Sequence, residues 1–164
     1  MDECPPFLGF PRELDAPRAV IFGAGHGTTY PGKDSAGYAG AADAIRKASQ
    51  ADAPFVGNWD FDLGGPLFNG GPASCMDSGN LATSMPDNAG NRALIEARTR
   101  ELLGRGAVPI LLGGDDSVPI PFLAGFADHG PVWILQIDAH IDWRDEVLGE
   151  RQGYSNPMRR ISEM

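Results

Sequence analysis

Val132-Trp133-Ile134-Leu135-Gln136-Ile137 is apolar almost throughout and is followed at once by Asp138-Ala139-His140-Ile141-Asp142. An apolar run of this length predicts a strand buried on both faces, as strands of parallel sheets are. In open α/β sheets, ligands bind at the carboxyl ends of strands. The Asp-x-His-x-Asp group falls at such an end. Residues i, i+2 and i+4 of an extended segment lie on one side, so Asp138, His140 and Asp142 are expected to converge. Carboxylate oxygens plus one imidazole suit a borderline-hard divalent ion such as Mn2+. An acidic residue ending a strand also serves as a helix N-cap or turn former. The motif therefore needs a second cluster before it reads as a site.

That cluster is Gly113-Gly114-Asp115-Asp116-Ser117, directly after the apolar run Ala107 to Leu112. The glycines let the backbone turn tightly. Locally, a strand-to-helix turn with Asp116 or Ser117 as N-cap explains it equally well. Two acidic clusters at equivalent ends of two parallel strands shift the balance toward one shared metal site.

Around these clusters, strands alternate with helices. Ala19 to Phe22 reads as a short strand leading into the glycine-rich loop Gly23 to Gly32. Ala39 to Ser49 reads as a helix. Pro54 to Pro86 reads as an irregular excursion punctuated by Gly64-Gly65-Pro66 and Gly70-Gly71-Pro72, with a short strand within Asn58 to Leu63. Asp87 or Asn88 is placed to cap a helix over Asn91 to Leu103, ended by Gly104 or Gly106. Ser117 to Phe126 reads as a helix with Pro119 and Pro121 in its first turn. The alternation predicts an α/β fold with a parallel sheet and right-handed crossovers.

The chain has 164 residues, 42% of them apolar and 21% charged, enough for one domain with a real core. A net charge of -9 argues against nucleic acid or an anionic membrane surface as partner. Cys4 and Cys75 do not make a disulfide framework, and the segment Met1 to Asp15 lacks the basic and apolar regions of a signal peptide. A cytoplasmic location is expected.

Gly-Gly-Asp-x-Ser after one strand and Asp-Ala-His-x-Asp after a later one resemble the ureohydrolase family of arginase, agmatinase, guanidinobutyrase and formimidoylglutamase. The agmatinase branch fits better than arginase proper. Pro6-Phe7-Leu8-Gly9-Phe10-Pro11, Gly27-Thr28-Thr29-Tyr30-Pro31-Gly32 and Arg159-Arg160 extend the resemblance over nearly the whole chain. It implies a three-layer arginase-like parallel sheet with helices on both faces, formed by residues 1–164 as a single, incomplete domain. It also implies hydrolysis of a small cationic, agmatine-like guanidino compound to urea and an amine. Two Mn2+ ions, with Ni2+ as the alternative, lie about 3.5–4 Å apart in such a site and hold the attacking hydroxide between them. Carried over by position, Asp138 bridges the ions and Asp116, His140 and Asp142 complete the metal ligands present here. A homo-oligomer of the full-length form stays open.

The chain departs from the family at three places. Asp116 stands where a histidine ligand is usual. Tyr154 stands at the position of the proton-shuttling histidine; tyrosine, with an ordinary pKa of about 10, is a poor shuttle at neutral pH. The family's later Asp-x-Asp motif, which supplies two further ligands, has no counterpart before Met164. Asp60-Phe61-Asp62 lies in the wrong order and reads as a solvated turn. The chain is therefore expected to be the N-terminal part of an enzyme and inactive alone. His26 and Asn156 are the substrate-side candidates, and His129 reads as a turn residue. The competing function is a non-catalytic metal- or nucleotide-binding module, suggested by Gly23-x-Gly25-x-Gly27; its spacing departs from the dinucleotide fingerprint.

Overall fold

Ala19–Gly23 forms the central strand, β1, of a three-stranded parallel sheet. The computed structural model describes residues 4–68, 74–85 and 87–164. After β1 come helix α1 (Ala41–Ser49), the small antiparallel pair β2 (Trp59–Asp60) and β3 (Gly65–Pro66), and strand β4 (Cys75–Asn80). Helix α2 (Asn88–Gly104), strand β5 (Val108–Leu112) and the short helices α3 (Pro119–Ala124) and α4 (Pro157–Ile161) complete the order. The sheet runs β4-β1-β5, with β1 parallel to both neighbours. The Gly70-Gly71-Pro72 breakers lie outside the described residues. Among the described residues, no helix is long and apolar enough to cross a membrane.

Alternation along β1 sends side chains to two different layers. Val20 and Phe22 pack with Leu102 and Ala107, and with the partly buried Phe122 of α3. Burying side chains such as Phe22, Ile95 and Leu102 contributes roughly 1.5–3 kcal/mol each. On the other face, α1 lies so close to Gly23 that a Cβ there would stand 2.8 Å from the Ala42 methyl. Helices thus cover both faces, as the resemblance implies. Asp87 caps α2, its side chain accepting from Gly90 N at 2.9 Å, and Gly106 takes the left-handed φ of 75° just past the helix end.

The α1 face holds a buried ion pair. Arg46 Nε and Nη2 donate to the two Asp77 oxygens at 2.7 and 2.9 Å, with Arg46 1% and Asp77 0% exposed. Arg12 Nη1 approaches Asp77 at 3.2 Å, and the Phe7 and Gly79 amides donate to it at 2.7 and 3.0 Å. Burial alone raises the Asp77 pKa, but Arg46 and these amides outweigh it and hold the carboxyl below its ordinary value.

Two expectations fail. The stretch from Pro54 to Pro86 is not irregular throughout: β4 pairs in parallel with β1, matching Ala19 to Cys75 and Ile21 to Asp77. Its sequence CMDSGN has low strand propensity, and Arg46 rather than apolarity buries its middle. Conversely, Val132 to Ile137 forms no buried strand. It belongs to neither described sheet, and Trp133, Leu135 and Ile137 are among the most exposed apolar side chains. β5 instead forms the rim of the sheet, with Val108 and Ile110 open to solvent.

Candidate metal centre

The turn after β5 is pressed onto the loop after β1. Gly114 lies so close to the His26 carbonyl that no side chain fits between them, and Asp115 N donates to that carbonyl at 3.1 Å. A Cβ on Gly27 would stand 2.7 Å from Asp115 Oδ2. Ser117 joins the two loops: its hydroxyl donates to Asp115 Oδ1 at 2.5 Å and accepts from Thr28 N at 2.9 Å. Asp115 Oδ1 also accepts from Ser117 N at 2.9 Å, while Asp115 Oδ2 is buried with no partner. Burial raises the Asp115 pKa against the opposing hydrogen bonds from Ser117.

His26 continues this buried network rather than facing a substrate. The ring is 0% exposed, which overturns its candidacy as a substrate-side group. Ser84 N donates to Asn91 Oδ1 at 2.8 Å, which fixes Asn91 Nδ2 as the group facing His26 Nδ1 at 3.2 Å. Nδ1 therefore accepts, and the Nε2 proton points to Thr28 Oγ1 at 3.1 Å. Desolvation, with a smaller push from Arg92, lowers the His26 pKa to about 4. The ring is neutral at physiological pH and ties α2 to the loop behind Asp116.

Asp116, Asp138 and Asp142 come together: one oxygen from each lies within 4.8 Å of the others. The route differs from an extended segment. Asp138 Oδ1 accepts from His140 N at 2.7 Å, closing a turn, and Gln136 Nε2 donates to the His140 carbonyl at 3.2 Å. Asp142 then adopts a left-handed φ of 45°, uncommon for a non-glycine residue and frequent at functional sites. The turn brings the two aspartates back to one point and leaves His140 outside. Its imidazole is largely exposed, with Nδ1 3.6 Å from Asp138 Oδ1, and it is not in the converging group. Burial raises the Asp116 pKa first, and Asp138 and Asp115 add to it against His140. Burial also leads for Asp142, helped by Asp138 and Asp116. Crowded carboxylates that resist ionising are a donor set that a divalent cation fits.

A cavity of about 1060 Å³ opens beside these carboxylates, walled by Tyr30, Tyr154, Trp143 and Arg144 among others. The rings of Tyr30 and Tyr154 stand 4.5 Å apart, and the Tyr30 hydroxyl bonds the Ser155 hydroxyl and accepts from Ser155 N at 3.1 Å. Tyr154 thus lies in the cavity wall, where its sequence position placed it. Asn156 does not: it is fully buried, accepts from Gly153 N at 3.0 Å and donates to Arg144 O at 2.8 Å. It holds the loop ahead of α4 and is not available to a substrate. Tyr30 and Arg144 were not picked out from sequence. Tyr30 lies in the Gly27 to Gly32 stretch that carried the resemblance, and Arg144 lies two positions after Asp142.

The Arginase family model matches residues 17–164. A mitochondrial agmatinase of Gallus gallus is 42% identical over 62 residues, which cover 37% of this chain and 18% of that protein. A mitochondrial guanidino acid hydrolase of Homo sapiens is 39% identical over 67 residues, covering 40% and 19%. The solved formiminoglutamase of Trypanosoma cruzi with Mn2+ superposes with a TM-score of 0.68 at 18% identity, over 99% of this chain and 54% of that one. The chain thus spans about half of that solved protein, and the matched segments a fifth or less of the two relatives.

Proposed function

From the premise that the chain belongs to the arginase family, we propose that it carries part of a metal-dependent site that hydrolyses a small guanidino compound to urea and an amine. The single observation behind this reading is the convergence of Asp116, Asp138 and Asp142 from two separate loops onto one point. These three carboxylates hold the ion; the Mn2+ named with the T. cruzi structure makes manganese the first choice. A bound divalent ion supplies Lewis-acid activation of water and polarisation of the guanidine. The chain's own groups do the rest. Tyr30 and Tyr154 wall the cavity with aromatic surface. Tyr154 offers the leaving nitrogen a hydrogen bond through its phenol hydroxyl. Among the described residues only these three acidic groups converge, too few donors for two ions, so the polypeptide by itself is expected to bind metal without turning substrate over.

Titration of the chain with Mn2+, followed by the loss of the free-ion electron paramagnetic resonance signal, tests the reading. Native protein should bind, and Asp138→Asn should weaken binding at least about ten-fold. Identical behaviour of the two, or no binding by either, would sink the metal site. Urea release by the native chain, abolished by Asp138→Ala, would contradict the expectation of inactivity.

A further inference from the structure

We infer that Asn156 is a positioning residue that clips the loop bearing Tyr154 to the segment bearing Asp142, so that a bound ion and the phenol keep one fixed relation; the inference rests on the metal-site reading above. Asn156 stands at the N-cap of α4, a place where asparagine ordinarily turns its side chain onto the helix's own first amides. Here it makes no such bond. The side chain is fully buried and crosses between two segments instead. Oδ1 accepts from Gly153 N at 3.0 Å, one position before Tyr154, and Nδ2 donates to Arg144 O at 2.8 Å, two positions after Asp142. This pair of bonds needs an acceptor and a donor side by side. An ionised aspartate lacks the donor, and the single short hydroxyl of serine does not reach both partners.

The backbone around Asn156 makes the coupling tight. Arg144 N donates to Ser155 O at 3.2 Å and Arg159 N to Asp142 O at 3.4 Å, so Ser155, Asn156 and Arg159 together hold the stretch from Asp142 to Arg144 at three points. Tyr30 pins the same loop from the side of β1. A Cβ at Gly153 would stand 2.5 Å from the Tyr30 ring, and Ser155 N donates to the Tyr30 hydroxyl at 3.1 Å. Asp142 meanwhile holds its left-handed φ of 45°, a conformation that persists only where the surroundings over-determine it. Two of the three links to this stretch are backbone bonds that any residue can make. Asn156 supplies the one that a side chain controls.

The Mn2+ affinity of the full chain is read from the free-ion electron paramagnetic resonance signal. The place of Tyr154 is read from fluorine NMR of fluorotyrosine-labelled protein, in which bound Mn2+ broadens nearby resonances. The chain has three tyrosines, and Tyr154→Phe identifies the signal. Asn156→Asp and Asn156→Ser both keep a good helix cap. Each should lower Mn2+ affinity at least about ten-fold and, at saturating metal, lose part of the Tyr154 broadening. The aspartate adds negative charge nearby, so Coulomb attraction alone would move its affinity the other way. Leu102→Val, in the core against β1, should leave both readouts native. Native affinity in both Asn156 variants, a lost affinity with unchanged Tyr154 broadening, or an equal loss in Leu102→Val would overturn the inference while the metal site stands. No Mn2+ binding by native protein would overturn the metal reading, and the inference with it.

Discussion

Ser117 gives the sharpest test of how the site is held. Its hydroxyl links the turn carrying Asp116 to the loop after β1, and the residue is 0% exposed. Ser117→Ala deprives the buried Thr28 amide of its hydroxyl acceptor, at a cost of about 1–3 kcal/mol. It also removes a charge-assisted bond from Asp115, whose Oδ2 already lacks a partner and whose Oδ1 keeps only the Ser117 amide. The combined loss should be about 2–4 kcal/mol. For a domain of this size that lowers Tm by roughly 5–15 °C. Urea unfolding followed by circular dichroism should show a lower midpoint with an unchanged slope. Because the turn also carries Asp116, Mn2+ affinity should fall about 10–100-fold in protein that remains folded. A stability loss below about 1 kcal/mol together with native metal affinity would show that the hydroxyl does not couple the loops, and the account of the turn would be wrong.

His26 predicts a pH dependence. Its folded pKa of about 4 lies below its ordinary 6.5. The unfolded chain therefore takes up the proton first as pH falls. Its contribution is fully present above about pH 6.5 and is lost progressively toward pH 4, amounting to about 3 kcal/mol. Denaturation midpoints measured across this window should fall more steeply for native protein than for His26→Gln; equal slopes would contradict a neutral buried ring. The Arg46–Asp77 pair predicts a second asymmetry. Arg46→Met strands Asp77 with only Arg12 and two amides and should cost about 3–5 kcal/mol in chemical denaturation. Arg46→Met combined with Asp77→Leu should recover most of that loss, and a double variant no more stable than the single one would refute the reasoning.

What could be foreseen from sequence was the chemistry at strand ends; what could not was the path of the backbone that delivers it. The apolar run ending at Leu112 marks β5, and Asp116 after it does join the converging carboxylates. β4 was hidden because propensity and apolar pattern carry no trace of its burial. Asp77 lies inside the fold on account of Arg46, 31 positions earlier in the chain, and long-range compensation of that kind has no local signature. The run from Val132 to Ile137 shows the opposite failure. Apolarity states what a segment gains by being covered, and a strand forms only where a ladder partner lies within reach. Among the described residues none does.

The same distinction governs the metal centre. Extended geometry would have aligned Asp138, His140 and Asp142 on one side. The Asp138 side chain instead captures the His140 amide, and the left-handed turn at Asp142 folds the segment back on itself. The converging group shifts from a mixed imidazole and carboxylate set to three carboxylates, harder and more negative. That shift bears on the substitution at Asp116. An aspartate there adds one more charge to a site already short of compensation, and burial together with its acidic neighbours raises its pKa. Carboxylates so crowded are a donor set suited to a hard cation, at the expense of their ease of ionisation.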